Sequence, residues 1–151
     1  MNIQDYIIRT CLGIILITTA IQDIRYKRIN TWIIISGFVI IVICMPFSVS
    51  INLMERSLGL LTGLSLMGIS KATGGKIGMG DGMLLCVSGI GLGFWANLEL
   101  FAIGLFLAAV VSIILLIIKR VNRKYSIPFV PFLLMGYLIQ TLVSKPWAVL
   151  I

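Results

Sequence analysis

Histidine is absent from this chain, and acidic residues number only five: Asp5, Asp23, Glu55, Asp81 and Glu99. Without histidine there is no Ser-His or Cys-His nucleophile pair, and none of the His-containing zinc sites on which most metallopeptidases rely. Cysteine is scarce as well. Cys11, Cys44 and Cys86 are widely spaced, lie inside apolar runs and form no CxxC pair, so they are expected to be buried small hydrophobes and not metal ligands or redox partners. Charge of either sign is thin at 11% of residues, against 60% hydrophobic residues and a mean hydropathy of +1.13. That balance excludes an ordinary soluble domain and makes a lipid bilayer the natural solvent. Of the common hydrolytic chemistries, paired carboxylates or a Ser-Lys pair remain.

Six apolar runs follow one another, at about 6–21, 32–45, 57–70, 82–95, 98–118 and 129–143. They predict an all-α membrane protein, a polytopic bundle of about six transmembrane helices forming one domain over residues 1–151. Asp5 precedes the first run, and no small-residue cleavage site follows before Gln22 and Asp23, so this run is expected to be a retained helix and not a cleaved signal. The third and fourth runs fall short of the roughly 20 residues that span a bilayer core, which points to tilt, extension into the flanks or partial re-entry. Gly59 with Gly63, and Gly89 with Gly93, give small-xxx-small spacings that allow helix backbones to approach closely.

The formal net charge of +7 would suggest nucleic acid as partner in a soluble protein. Here the basic residues sit at the ends of apolar runs, and topology is the simpler explanation, so no nucleic-acid partner is expected. Arg25, Lys27 and Arg28 follow the first run, Lys71 and Lys76 the third, and Lys119, Arg120, Arg123 and Lys124 the fifth; together they are nine of twelve basic residues. Lys and Arg accumulate in short cytoplasmic loops, which predicts a plasma-membrane protein with both termini outside. Asp5, Glu55 and Glu99 then face outward, and only Asp23 and Asp81 are acids of the inner face.

Each of these two aspartates has a plain structural explanation. Asp23 could be held by Lys27 one turn later, and Asp81, at the end of the run Gly74 to Asp81, could cap the following helix. As a pair they fit a different use. Aspartyl hydrolysis needs one ionised carboxylate to take a proton from water and one protonated carboxyl to polarise the scissile carbonyl, and like-charge repulsion keeps two neighbouring acids in those different states. Gly78 and Gly80, lacking Cβ atoms, would let a substrate backbone pass close to Asp81. A third feature, Pro128-Phe129-Val130-Pro131-Phe132, opens the last run; proline is tolerated in a first helical turn, and the segment could also form a rigid wall beside a site. Ser70 and Lys71 are adjacent, and adjacent helical residues do not face each other, which disfavours a Ser-Lys pair.

Together these features resemble the type IV prepilin peptidase family, in its short form without a methyltransferase region, as in tight-adherence pilus systems and archaeal preflagellin peptidases. The likeness lies in Asp23 followed by Ile29 and Asn30, in the GxGD motif at Gly78, Gly80 and Asp81, and in the Pro128 to Phe132 run, in that order along the apolar segments. The resemblance implies an aspartic endopeptidase with Asp23 and Asp81 as catalytic pair. It implies substrate-binding or supporting roles for Gly78, Gly80, Asn30, Pro128, Phe129 and Pro131. The implied partner is a pilin-like precursor whose short basic leader is cut at the cytoplasmic face, usually after glycine, while its apolar helix stays in the bilayer. No cofactor, bound zinc or methyltransferase activity is expected, because the chain starts directly at its first helix without the cysteine-rich region of larger relatives. The sequence departs from the family pattern where Arg28-Ile29-Asn30 lacks the usual proline and where Gly82-Met83 follows Asp81. A non-catalytic pilin-binding assembly subunit, or a small ion-coupled transporter, would also account for two inner-face acids.

Overall fold

The computed structural model describes residues 3–27, 29–47, 51–75, 78–118 and 127–147. These form six α-helices and no strand: α1 (Ile3–Tyr26), α2 (Thr31–Cys44), α3 (Leu53–Ala72), α4 (Met79–Leu92), α5 (Phe94–Ile117) and α6 (Val130–Trp147), with a short 3-10 turn at Met45–Phe47 after α2. Arg28, Lys76, Lys119, Arg120, Arg123 and Lys124, on which much of the predicted orientation rests, lie outside the described residues. Two helices, Asp5–Tyr26 and Phe94–Ile117, are long and apolar enough to cross a membrane, with mean hydropathy 1.6 and 3.1. Many large apolar side chains, such as Ile14, Ile43, Phe106, Ile113 and Leu142, are exposed on the outside of the bundle.

The core is organised around α4. This helix packs against α1, α2, α3 and α5, and from Leu84 to Leu92 every residue is buried, as expected of a helix that is apolar on all sides. Its tightest neighbour is α3. A Cβ on Gly59 would collide with the backbone of Gly89, and one on Gly63 with the backbone of Cys86 and the Gly82 carbonyl; a Cβ on Gly82 would stand 2.6 Å from Met67 Cγ. The sequence-predicted pairing of Gly59 and Gly63 as a close-packing face therefore matches the contact, and Gly82 belongs to the same seam.

Gly93 does not. The fourth run was expected to continue to residue 95, yet α4 ends at Leu92 and α5 begins at Phe94, with Gly93 alone as the corner. Its φ of 81° and ψ of 176° lie where a Cβ is disfavoured, and a side chain would also press on Ile51 Cγ2 at 3.0 Å. Apolar residues flank the corner on both sides, so hydropathy passes over it. The cysteines differ from expectation in degree: Cys86 is buried, whereas Cys11 and Cys44 are only half-buried.

Polar groups inside the bundle tie helices together. Asn97, fully buried at the start of α5, accepts from Ser88 Oγ of α4 at 2.6 Å and donates to Thr62 Oγ1 of α3 at 2.6 Å and to the Leu85 carbonyl at 3.1 Å. In apolar surroundings a satisfied network of this kind fixes helix rotation. At the same end as the Gly93 corner, buried Arg56 donates to the Ile90 carbonyl at 2.7 Å and interacts electrostatically with buried Asp5.

The α3/α4 seam gives a direct test. Gly59→Val is expected to lower the thermal unfolding midpoint of the purified protein, with a cost of at least about 1–3 kcal/mol from overpacking. Gly68→Ala, whose new methyl group would meet nothing within 4 Å, is expected to raise stability by up to about 1 kcal/mol. Equal midpoints for the two variants would contradict the seam.

Candidate active site

The end of the bundle away from Arg56 carries a cavity of about 780 Å³ whose wall includes both Asp23 and Asp81. Three helix ends meet there, each shaped by local sequence.

Asp23 lies in the last turn of α1 and is 8% exposed. The turn closes when the Lys27 N–H donates to the Asp23 carbonyl at 2.9 Å, and Lys27 then adopts φ 50°, a left-handed conformation that reverses the chain. The reversed segment is pinned twice. Gln22 Oε1 accepts the Asn30 N–H at 3.2 Å, and Asn30 Oδ1 accepts the Trp32 N–H at 3.1 Å, which makes Asn30 the N-cap of α2. Asn30 is thus built into the loop and not into the cavity wall, whereas its neighbours Ile29 and Thr31 do line the cavity.

Asp81 sits in the first turn of α4, where a carboxylate is favoured by the helix dipole. It is not the cap; that position belongs to Gly78, whose backbone is extended. Both motif glycines line the cavity, and the space left by each missing Cβ is occupied. A Cβ on Gly78 would stand 2.6 Å from Asp81 Oδ2, and one on Gly80 would stand 2.9 Å from Ile29 Cδ1. The first space is taken by the carboxylate itself and the second by the α1–α2 loop.

The third end is the start of α6. The Val130 N–H donates to Asp23 Oδ2 at 3.1 Å, across 107 positions of sequence. Pro128 and Phe129 line the cavity, and the Phe129 ring stands edge-to-face on Phe101 of α5 at 6.2 Å between centroids. Pro131 falls in the first turn of α6 and is not part of the wall. The Val130 contact was not foreseen, since it uses a backbone group that no side-chain motif encodes. Its one trace in the sequence is the proline-flanked helix start, because free N–H groups are a property of any first turn.

The two carboxylates, contributed by α1 and α4, share one cavity and lie close enough for the charge of Asp23 to act on Asp81. The rest of the wall is mixed: Lys27 brings a cation, and Leu66, Met83, Phe101 and Leu105 bring apolar surface. The wall thus combines two acids and a cation with apolar surface.

A family model for the type IV leader peptidase family matches residues 10–117, and the chain belongs to that family. No curated protein and no solved structure matches it at a significant level. The matched span contains Asp23 and the GxGD motif, while the Pro128 to Phe132 run lies beyond it, so it is the geometry that brings α6 to the site.

Gly78→Ala follows as a local probe. The added methyl must displace the Asp81 carboxylate, and leader cleavage is expected to fall about tenfold or more, with little change in the thermal midpoint. Cleavage at the wild-type rate in this variant would show that the position of the carboxylate is not critical.

Proposed function

We propose that the protein is an aspartic-type endopeptidase that removes the leader of type IV pilin-like precursors at the cytoplasmic membrane face. The observation that carries this is the meeting of Asp23 and Asp81, from α1 and α4, in one cavity at one end of the bundle. Family membership supports the peptidase class, and the lack of histidine leaves few other hydrolytic devices.

In this mechanism one carboxylate is ionised and takes a proton from water, and the other, protonated, donates to the scissile carbonyl as the water oxygen bonds to its carbon. The tetrahedral intermediate collapses when the C–N bond breaks and the departing amine takes up a proton. The Val130 N–H holds Asp23 in place during these steps.

The six helices form one polytopic membrane domain with both termini outside. Asp23, Asp81 and the start of α6 then lie at the inner surface, and Asp5 with Arg56 at the outer. Leu105 is on the cavity wall and also exposed on the bundle flank, which supports a lateral approach by which an apolar substrate helix stays in lipid while its basic leader remains in the cytosol. Helix packing then supplies much of the binding energy.

Coexpression with a pilin-like precursor tests the assignment. Asp23→Asn and Asp81→Asn are each expected to reduce processing at least about 100-fold, while both proteins still accumulate in the membrane. Wild-type processing in both variants would refute the assignment. The rate of the purified enzyme is also expected to pass through a maximum with pH, since full protonation removes the base and full ionisation removes the acid. A rate that stays constant from acid to alkaline pH would speak against a shared-proton pair.

A further inference from the structure

We propose that Lys27 is a product-binding residue, which takes up the carboxylate created on the leader when the peptide bond is cut; this rests on the aspartic-peptidase reading above. Lys27 lies on the wall of the cavity that holds Asp23 and Asp81, and among the described residues of that wall it is the one cation. It is exposed, so it stands at the cavity mouth.

Its backbone is informative. At φ 50° it is the one non-glycine residue with positive φ among the described residues, whereas Gly74, Gly75 and Gly93 fill the other such positions. Glycine at 27 would end α1 without the strain that a Cβ brings in this region. Strained non-glycine backbone is found where the surrounding site needs the side chain. What lysine adds here is a positive charge on a long arm, rooted one turn beyond Asp23 by the 2.9 Å bond from its N–H to the Asp23 carbonyl.

The reaction creates a need for that charge. As water oxygen bonds to the carbonyl carbon and the C–N bond breaks, the mature chain leaves as an amine that has gained a proton. The leader is left with a carboxyl group, which ionises by releasing its proton to a cavity carboxylate or to water. An anion forming beside the ionised member of the pair is repelled by it. An ammonium at the mouth offsets this repulsion and draws the new carboxylate toward the solvent side, away from the pair that must bind the next water.

Binding of two synthetic peptides to the full chain in detergent tests this, with fluorescence anisotropy as readout. Both carry the leader sequence of a precursor that the wild type processes; one ends in a free carboxylate and the other in a carboxamide. The wild type is expected to bind the acid about tenfold more tightly, the order of a charge-assisted hydrogen bond. Lys27→Gly, which suits the backbone, and Lys27→Gln, which keeps the length of the side chain, are expected to bind the two peptides alike, and Lys27→Arg to keep most of the preference. A purely structural lysine would leave the acid-to-amide ratio unchanged on substitution. Equal binding by the wild type, or an undiminished ratio in both Lys27→Gly and Lys27→Gln, overturns the proposal. Leader cleavage is measured in the same preparations: its persistence in Asp23→Asn and Asp81→Asn removes the aspartic-peptidase reading, whereas aspartate-dependent cleavage with an unchanged ratio removes only the role of Lys27.

Discussion

The glycine seam between α3 and α4 is the contact on which the position of Asp81 depends. Where Gly59 meets Gly89, and Gly63 meets Cys86 and Gly82, the two helices touch backbone to backbone. Side chains in a core can change rotamer to absorb a shift, but backbone against backbone cannot. The depth of α4 is therefore set by this contact. Its rotation is set by the Ser88–Asn97–Thr62 chain of hydrogen bonds. With both fixed, the first turn of this 14-residue helix has little freedom, and the Asp81 carboxylate stands where Gly78 leaves room for it.

The two ends of the bundle treat buried charge in opposite ways. At one end Arg56 and Asp5 are buried together, and the guanidinium is further occupied by the Ile90 carbonyl. Removing one partner of a buried pair strands the other, which is why such pairs hold helices in register even when their net contribution to stability is small. At the other end Asp23 and Asp81 are of like sign and share a cavity open to solvent and to the bundle flank. One end thus buries charges of opposite sign together, and the other sets two acids of like sign around one cavity.

Much of this was legible in the sequence, for identifiable reasons. Six helices follow from six apolar runs, because hydropathy reports burial in core or lipid directly. The basic loops and the family pattern assigned Asp23 and Asp81 to one side of the bundle, but sequence alone could not show that they meet in one cavity. Element ends were less legible. Gly93 makes a one-residue corner inside an apolar stretch, and α3 runs from Leu53 to Ala72, longer than its apolar core, because helical polar flanks carry no hydropathy signal. Asn97 was overlooked because a lone asparagine reads as a loop residue until its partners are known. What fills the space at Gly78 was not legible for a similar reason: it faces the side chain of Asp81, three positions later, and spacing alone cannot say what fills a gap.

The start of α6 completes the site in a way that follows from how that helix is held. Tyr137 Oη donates to the Arg9 carbonyl of α1 at 2.7 Å, and Gly104 and Gly136 bring α5 and α6 close enough for Leu133 and Ile103 to fill the gap. These contacts fasten α6 to both neighbours and hold its Val130 N–H toward Asp23. Asp81 in turn rests in the first turn of α4. Each carboxylate is thus placed at a helix N-terminus, one its own and one borrowed from across the chain. The partial positive charge at such an end favours an anion, and two of them offset part of the repulsion between two acids in a half-buried cavity. By this argument the ends of α4 and α6 supply a compensating field at the two aspartates, and backbone contacts set how closely it is applied.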